Sequence, residues 1–363
     1  MSYNQANLPE EYRQLTDDEL RRRIRAKRAE LGKELIILTH HYQRLEVVEF
    51  HDFLGDSYAL AKEAAAQKTA GHIVFCGVRF MAEAADILTG PNQNVYLANK
   101  TAGCPMADMA ETGDVFDSWD HIEDILGPGQ VLPLSYMNSS AELKAFTGKN
   151  GGLICTSSNA EAAFNYCFKQ NKKLFFFPDQ HLGRNTANTK GILREKIVVY
   201  NPKLENGGLT PDDLRRADVI LWYGYCHVHT NFMTGQIEKV RQQFPEAKIV
   251  VHPECSEDVV ALADSVGSTS HIVSYVEKAA PGTIIAIGTE INLVHRLSVT
   301  HANKKIIGLA GDVCAMCSNM YRTSLNDLCF TLENLDHAEL IKVPEPIATD
   351  AKLALDRMLE IGM

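Results

Sequence analysis

The chain has 363 residues, 45% hydrophobic and 23% charged, with 36 basic against 46 acidic side chains and a net charge of −10. That length allows two or three compact domains and excludes a disulfide-stapled miniprotein, and no low-complexity or like-charge block reads as disorder. The acidic balance lacks a basic stripe, which argues against nucleic acid as a partner and requires any anionic substrate to be caught by local donors.

Met1-Ser2-Tyr3-Asn4-Gln5 has neither the basic nor the apolar region of a secretory signal. Apolar runs such as 35–38 and 284–287 fall far short of the ~20 residues a membrane helix needs. A cytoplasmic protein with reduced thiols and no membrane span is therefore expected.

Residues 10–32 read as an opening helix, with Thr16 and Glu19 as a capping box and Leu15, Leu20, Ile24 and Leu31 as its apolar stripe. Beyond it, short apolar runs at 35–38, 72–75, 95–97, 131–134, 152–155, 173–177, 219–222, 248–251, 283–287 and 305–309 alternate with amphipathic stretches. Such alternation predicts an α/β fold with buried parallel sheets.

The runs also suggest a repeat. A strand ending in a polar or aromatic cluster recurs at Thr39-His40-His41-Tyr42, Ser135-Tyr136-Met137-Asn138 and His252-Pro253-Glu254, and a second kind leads into a helix after Cys76, Cys155 and Ile287. Three similar α/β modules fit that spacing: 1–115, joined by the C-terminal 318–363; 116–230, with an inserted excursion at 185–218; and 231–317. Ordinary strand–helix alternation is the alternative. Ligands of α/β folds bind outside the carboxyl ends of the strands, which is where these polar clusters lie.

Nine cysteines, at 76, 104, 155, 167, 226, 255, 314, 317 and 329, are spread along the chain. Cys314-Ala315-Met316-Cys317 is the one close pair, able to share a metal or form a redox disulfide. Cys104 and Cys226 sit in loops after strands, whereas Cys76, Cys155 and Cys167 lie in apolar contexts and read as packing residues. One loop cysteine per module suits an iron–sulfur cluster with one iron left open; unrelated reduced thiols are the alternative.

His40 and His41 follow a buried strand, and His252-Pro253-Glu254 sets an imidazole and a carboxylate two residues apart, where a general acid or base can be held. Hydroxyl-bearing turns at Gly55-Asp56-Ser57, Thr156-Ser157-Ser158 and Gly267-Ser268-Thr269 precede helices. Each can bind an anion through helix N-terminal N–H groups or serve as a plain N-cap.

The motifs Thr39-His40-His41-Tyr42-Gln43, Gly55-Asp56-Ser57, Gly77-Val78-Arg79-Phe80-Met81, Gly103-Cys104-Pro105-Met106-Ala107-Asp108-Met109, Tyr136-Met137-Asn138, Thr156-Ser157-Ser158, Pro178-Asp179, His181-Leu182-Gly183-Arg184, Cys226-His227-Val228-His229, His252-Pro253-Glu254 and Gly267-Ser268-Thr269-Ser270 occur in that order. On them the chain resembles the quinolinate synthase family. The resemblance implies three homologous Rossmann-like αβα modules in pseudo-threefold arrangement around a central [4Fe–4S] cluster. It implies condensation of iminoaspartate with dihydroxyacetone phosphate to quinolinate, with loss of phosphate and water, in de novo NAD biosynthesis.

Carried over by motif, the cluster ligands are Cys104, Cys226 and Cys317. The substrate-holding residues are His40, Tyr42, Ser57, Tyr136, Asn138, Ser157, His252, Glu254, Ser268 and Thr269, and the acid/base group is Tyr42, His252 and Glu254. The open iron would act as a Lewis acid, and an aspartate-oxidising enzyme would supply the unstable iminoaspartate. Two departures stand out: the segment from Asn185 to Asp218 is long for the family, and Ser318 follows the last ligand where proline is often found, leaving Cys314 as the alternative to Cys317. Competing classes are another iron–sulfur hydro-lyase acting on a small hydroxy acid and a zinc- or disulfide-regulated binding module.

Overall fold

All ten apolar runs form strands, because a chain segment buried on both sheet faces can carry apolar side chains at every position. The computed structural model describes residues 8–311 and 314–362. It divides into one unit of Met1–Cys104, Glu290–Arg296 and Met316–Pro344, and a second of Pro105–Thr289, Leu297–Ala315 and Glu345–Met363.

In the first unit, β1 (Leu35–His40), β2 (Phe53–Gly55), β3 (His72–Cys76) and β4 (Asn94–Leu97) pair in parallel in the order β4-β3-β1-β2. The second unit holds two parallel sheets. One is β6-β5-β7-β9-β8, from β5 (Val131–Tyr136), β6 (Leu153–Cys155), β7 (Lys173–Phe177), β8 (Ile197–Tyr200) and β9 (Val219–Trp222). The other is β11-β10-β12-β13, from β10 (Lys248–Val251), β11 (Ser265–Val266), β12 (Ile284–Gly288) and β13 (Lys305–Gly308). Last in the chain, β14 (Glu339–Ile341) adds antiparallel to β4, with Leu340 opposite Tyr96. The fold is thus α/β, three parallel-dominated sheets flanked by helices.

Leu20 and Ile24, from the helix Asp17–Leu31, and Leu325, Leu328 and Leu332, from the helix Leu325–Glu333, close over Ile37 and Val74 in the first unit. In the second, Trp119, Phe175, Phe177 and Trp222 anchor a separate aromatic core. No helix among the described residues is long and apolar enough to cross a membrane.

Three segments differ from the sequence reading. The opening helix is interrupted: a turn at Glu10–Arg13 precedes Asp17–Leu31, and the Thr16 side chain caps the latter by accepting the Glu19 N–H. The stretch 185–218 supplies the edge strand β8 and a helix Pro211–Arg216, fixed by a Thr210/Asp213 capping box, so it extends a sheet. The C-terminal 318–363 is divided at Pro344: β14 completes the first unit's sheet, while the helix Glu345–Ile361 packs on the helix Ala141–Lys149 of the second. That packing needs Gly148, where an added Cβ would lie 1.9 Å from the Asp350 carbonyl oxygen.

One local frame occurs twice. Asp52 N–H donates to the Ile37 carbonyl at 2.9 Å while its carboxylate accepts the Ile37 N–H at 2.8 Å. Asp264 does the same to Ile249 at 2.9 and 2.7 Å. At the same onward spacing, the helices Ser57–Ala66 and Thr269–Lys278 begin, capped by Asp56 and Ser268.

Candidate active site

β10 ends at Val251, and the turn after it presents His252, Pro253 and Glu254 at the carboxyl end of the sheet. Asn185, on the helix Gln180–Thr189, pins this turn by donating to the Pro253 and Cys255 carbonyls, both at 2.8 Å. The Glu254 N–H donates to His252 Nδ1 at 3.3 Å. A neutral His252 therefore carries its proton on Nε2, which faces Ser157 Oγ at 3.2 Å.

The two oxygens of Glu254 are divided between different elements. Tyr136, from the end of β5, donates its hydroxyl to Oε1 at 2.6 Å, and His229 Nδ1 meets Oε2 at 2.7 Å. The other nitrogen of His229 reaches Thr289 Oγ1 at 3.1 Å, and its ring stacks on that of His252 with centroids 4.4 Å apart. Tyr136, His229, His252 and Glu254 are all buried.

Burial works against the Glu254 charge, but the imidazoles of His229 and His252 and the hydrogen bonds from His229 and Tyr136 outweigh it and hold this carboxyl below the ordinary range. The Tyr136 phenol moves the other way: burial, then the adjacent carboxylate, push it well above its usual value, so it remains a protonated donor. Burial and the Glu254 charge likewise raise Asp179, which caps the helix Gln180–Thr189 through Leu182 N–H at 2.7 Å. Asp179 also accepts the Cys226 N–H at 3.2 Å, fixing the backbone of that cysteine. Ligand atoms of Cys226, His229 and Glu254 all lie within 4.8 Å of one another.

A cavity of about 550 Å³ opens beside this cluster, and Ser157, Ser158, Asn185, Pro253 and Ser268 are on its wall. Two of the three hydroxyl-bearing turns thus face one space. Thr269 is buried at the first position of the helix that Ser268 caps, and Asn138 is half-buried two residues beyond the end of β5.

The first unit holds the remaining candidates. Tyr42 N–H donates to His40 Nδ1 at 3.1 Å, and the two rings meet edge-on with centroids 4.8 Å apart. Ser57 opens a helix, and Cys104 and Cys317 are half-buried in loops. The Cys317 N–H donates to the carboxylate of Glu290 at 3.3 Å. Burial pushes the Glu290 carboxyl up to about 8 against the hydrogen bonds from Asn292, Cys317 and Leu293.

Burial also sorts the nine cysteines, none of which forms a disulfide. Cys76, Cys155, Cys167, Cys255 and Cys329 are buried, and desolvation raises every one of these thiols, three of them to about 12. Such thiols are inert packing groups. Cys104, Cys226 and Cys317 are half-buried and Cys314 is exposed.

Residues 22–360 match the family described as Quinolinate synthetase A protein. The chain belongs to the quinolinate synthase family. A quinolinate synthase of Streptomyces coelicolor is 51% identical over 352 residues, covering 95% of this chain and 89% of the relative. One from Acidobacterium capsulatum is 49% identical over 359 residues, covering 96% and 95%, and one from Haloarcula marismortui is 46% identical over 361, covering 99% and 96%.

Three residues of the cluster carry no role legible in the sequence. His229 and Asp179 stand in family motifs that give them no role, and Asn185 marks only the start of an excursion. For Asp179 the available signal was its N-cap position ahead of Leu182.

Proposed function

We propose that the chain condenses iminoaspartate with dihydroxyacetone phosphate to quinolinate, releasing phosphate and water, as a condensing transferase of de novo NAD biosynthesis that carries a [4Fe–4S] cluster. The observation that carries the reading is the division of one buried carboxylate, Glu254, between a phenol and an imidazole, with the sulfur of Cys226 in the same group. Family membership supports it independently.

The proposed reaction moves protons on carbon, nitrogen and oxygen, and Glu254 is the charged acceptor for them. Tyr136 stays protonated and offers a fixed donor, while His229 sits between Glu254 and Thr289, so a proton gained at one nitrogen can be balanced at the other. His252 presents its Nε2 proton toward Ser157. Tyr42 is the acid/base candidate of the first unit, held over His40. Two anionic substrates need stationary donors, which His40, Ser57, Asn138, Ser157, Ser268 and Thr269 supply without adding mobile charge.

The cysteine partition fits a cluster: Cys104, Cys226 and Cys317 are the half-buried thiols, and five others are sealed into cores. Cys104, Cys226 and Cys317 would hold a cluster whose open iron would supply a Lewis acid for loss of hydroxide. Iminoaspartate is unstable, so an aspartate-oxidising enzyme is its proposed supplier.

Anaerobic purification and a two-substrate assay test the reading. The expected protein is brown, absorbs near ~400 nm and holds about four irons and four sulfides per chain. Quinolinate should form only when both substrates are present. Cys104→Ser, Cys226→Ser and Cys317→Ser should each abolish cluster retention, with Cys167→Ser as the control that keeps it. A colourless zinc protein, or turnover of a single hydroxy acid, would reject the proposal.

A further inference from the structure

Glu290 lies just before the helix Ile291–Thr300 and is completely buried. Its carboxylate accepts the Asn292 N–H at 2.8 Å and the Asn292 side-chain amide at 2.9 Å. A helix-start carboxylate that only capped its own helix would need no more than these local donors. Glu290 does more, since Oε1 also accepts the N–H of Cys317 at 3.3 Å, from a distant part of the chain. The Asn292 amide in turn reaches the Tyr42 carbonyl at 3.4 Å. One buried carboxylate and one amide therefore join the backbone of Tyr42 to the backbone of Cys317.

The loops at both ends have little regular structure to hold them. From Ala310 to Thr323 the one regular element among the described residues is the short turn Met320–Arg322. Tyr321 N–H donates to the Cys317 carbonyl at 3.0 Å, and the Gln43 amide donates to the Met320 carbonyl at 3.0 Å. Arg44 donates twice to the Thr323 carbonyl, at 3.1 and 3.0 Å, with its guanidinium 4.4 Å from the centre of the Tyr321 ring. Residues 42–44 and 317–323 are thus tied at several points, and Glu290 provides the tie that acts on the cysteine's own amide.

We infer that Glu290 and Asn292 are positioning residues that set the Cys317 loop and the Tyr42 loop in a common register. The inference rests on the reading of Cys317 as a cluster ligand and Tyr42 as an acid/base group. It assigns the two residues separable effects: Glu290 governs how firmly the cysteine loop holds iron, and Asn292 governs how well the phenol is placed for turnover. Groups that orient metal ligands in this way alter metal retention without touching the metal.

The test uses the full chain, reconstituted with iron and sulfide under anaerobic conditions, in wild type, Glu290→Ala, Glu290→Gln and Asn292→Ala. Iron and sulfide content, the rate at which excess chelator bleaches the visible absorbance, thermal melting of the apo form, and kcat and KM are measured. Glu290→Ala should release iron about 10-fold faster than wild type or more, and Glu290→Gln, which keeps an acceptor for the Cys317 N–H, should fall between them. Asn292→Ala should release iron at the wild-type rate but lose about 10-fold in kcat with KM within about twofold. If Glu290→Ala gives no folded protein, Glu290→Gln decides the same question by the same rate.

Release at the wild-type rate from the folded Glu290 variants overturns the inference and leaves the cluster reading standing, as does unchanged kcat in Asn292→Ala. A wild-type chain that takes up no iron overturns the cluster reading and this assignment together.

Discussion

His40-His41-Tyr42 and His252-Pro253-Glu254 occupy matching places in two copies of one frame, yet they are equipped for different work. In each, the backbone N–H two residues on donates to Nδ1 of the histidine, at 3.1 and 3.3 Å, so both rings are fixed in the same tautomer. The third residue differs. Tyr42 is a half-buried phenol against its own histidine, whereas Glu254 is a buried carboxylate enclosed by Tyr136 and His229. The middle residue differs as well. His41 is buried and its Nδ1 accepts from Arg296 Nη2 at 2.9 Å, while Pro253 has no N–H and lends its carbonyl to Asn185. The frame decides where a side chain is held; its neighbours decide which charge it can carry there.

The largest effect should come from removing that charge difference. Glu254→Gln keeps the size of the side chain but not the anion, and kcat should fall by ~10²–10⁴ with iron content unchanged. Turnover preserved in this variant would leave Glu254 a structural partner of Tyr136, no different in kind from the polar residues around it.

A second effect separates the middle residues. Burial, then the nearby Arg296 charge, lower His41 from 6.5 to about 3. Between those values the unfolded chain binds a proton that the folded chain refuses. The stability His41 contributes is therefore full above the unfolded value and is lost as pH falls, at about 1.4 kcal/mol per pH unit in that window. His41→Gln, which still offers Arg296 an acceptor, should flatten the wild-type dependence of denaturant-derived stability by that slope. Identical slopes would show that the imidazole is already protonated when folded. Pro253 can add no such term, so the acid sensitivity belongs to one copy of the frame.

A third prediction treats the copies as equal. Asp52→Ala and Asp264→Ala each strip the acceptor from a strand N–H, and each should cost about 1–3 kcal/mol. Both aspartates also face an arginine, Arg28 and Arg241, and these ion pairs are partly exposed, so they add little to either cost. Melts that differ between the two variants by more than the range itself would break the equivalence of the frames.

Most of this architecture was legible because continuous apolar runs leave little but a buried parallel strand to build. The strands that escaped are β2, β8, β11 and β14, all short edge strands with half-exposed positions such as Val198, Val199 and Leu340, where one side of the ladder faces no neighbour and the apolar signal fades. The division at Pro344 was hidden for a different reason. An amphipathic helix such as Glu345–Ile361 announces that it packs, not on what, and the small residue that admits it, Gly148, lies far away in sequence. In the site, His252, Glu254, Tyr136 and Ser157 could be picked as polar residues at strand ends. His229 could not be given a role, because its meaning comes from a carboxylate on another element.

The smallest effect concerns the caps, and it separates holding a helix from holding a ligand. Asp56 accepts the Ala59 N–H at 3.0 Å and Ser268 accepts the His271 N–H at 3.3 Å, so aspartate and serine do the same mechanical job in the two copies. Ser268→Ala should cost about 1 kcal/mol, and Ser268→Asp, which restores the acceptor, should melt within about 0.5 kcal/mol of wild type. The proposed function gives Ser268 a second task on the wall of the cavity, where an anionic group is to be received. A carboxylate at that point repels what the hydroxyl would bind, so Ser268→Asp should raise the KM for dihydroxyacetone phosphate or iminoaspartate by about 10-fold while its stability barely moves. Unchanged KM for both would make the serine a cap and nothing more, and the second copy of the frame would then owe its chemistry to His252 and Glu254 alone.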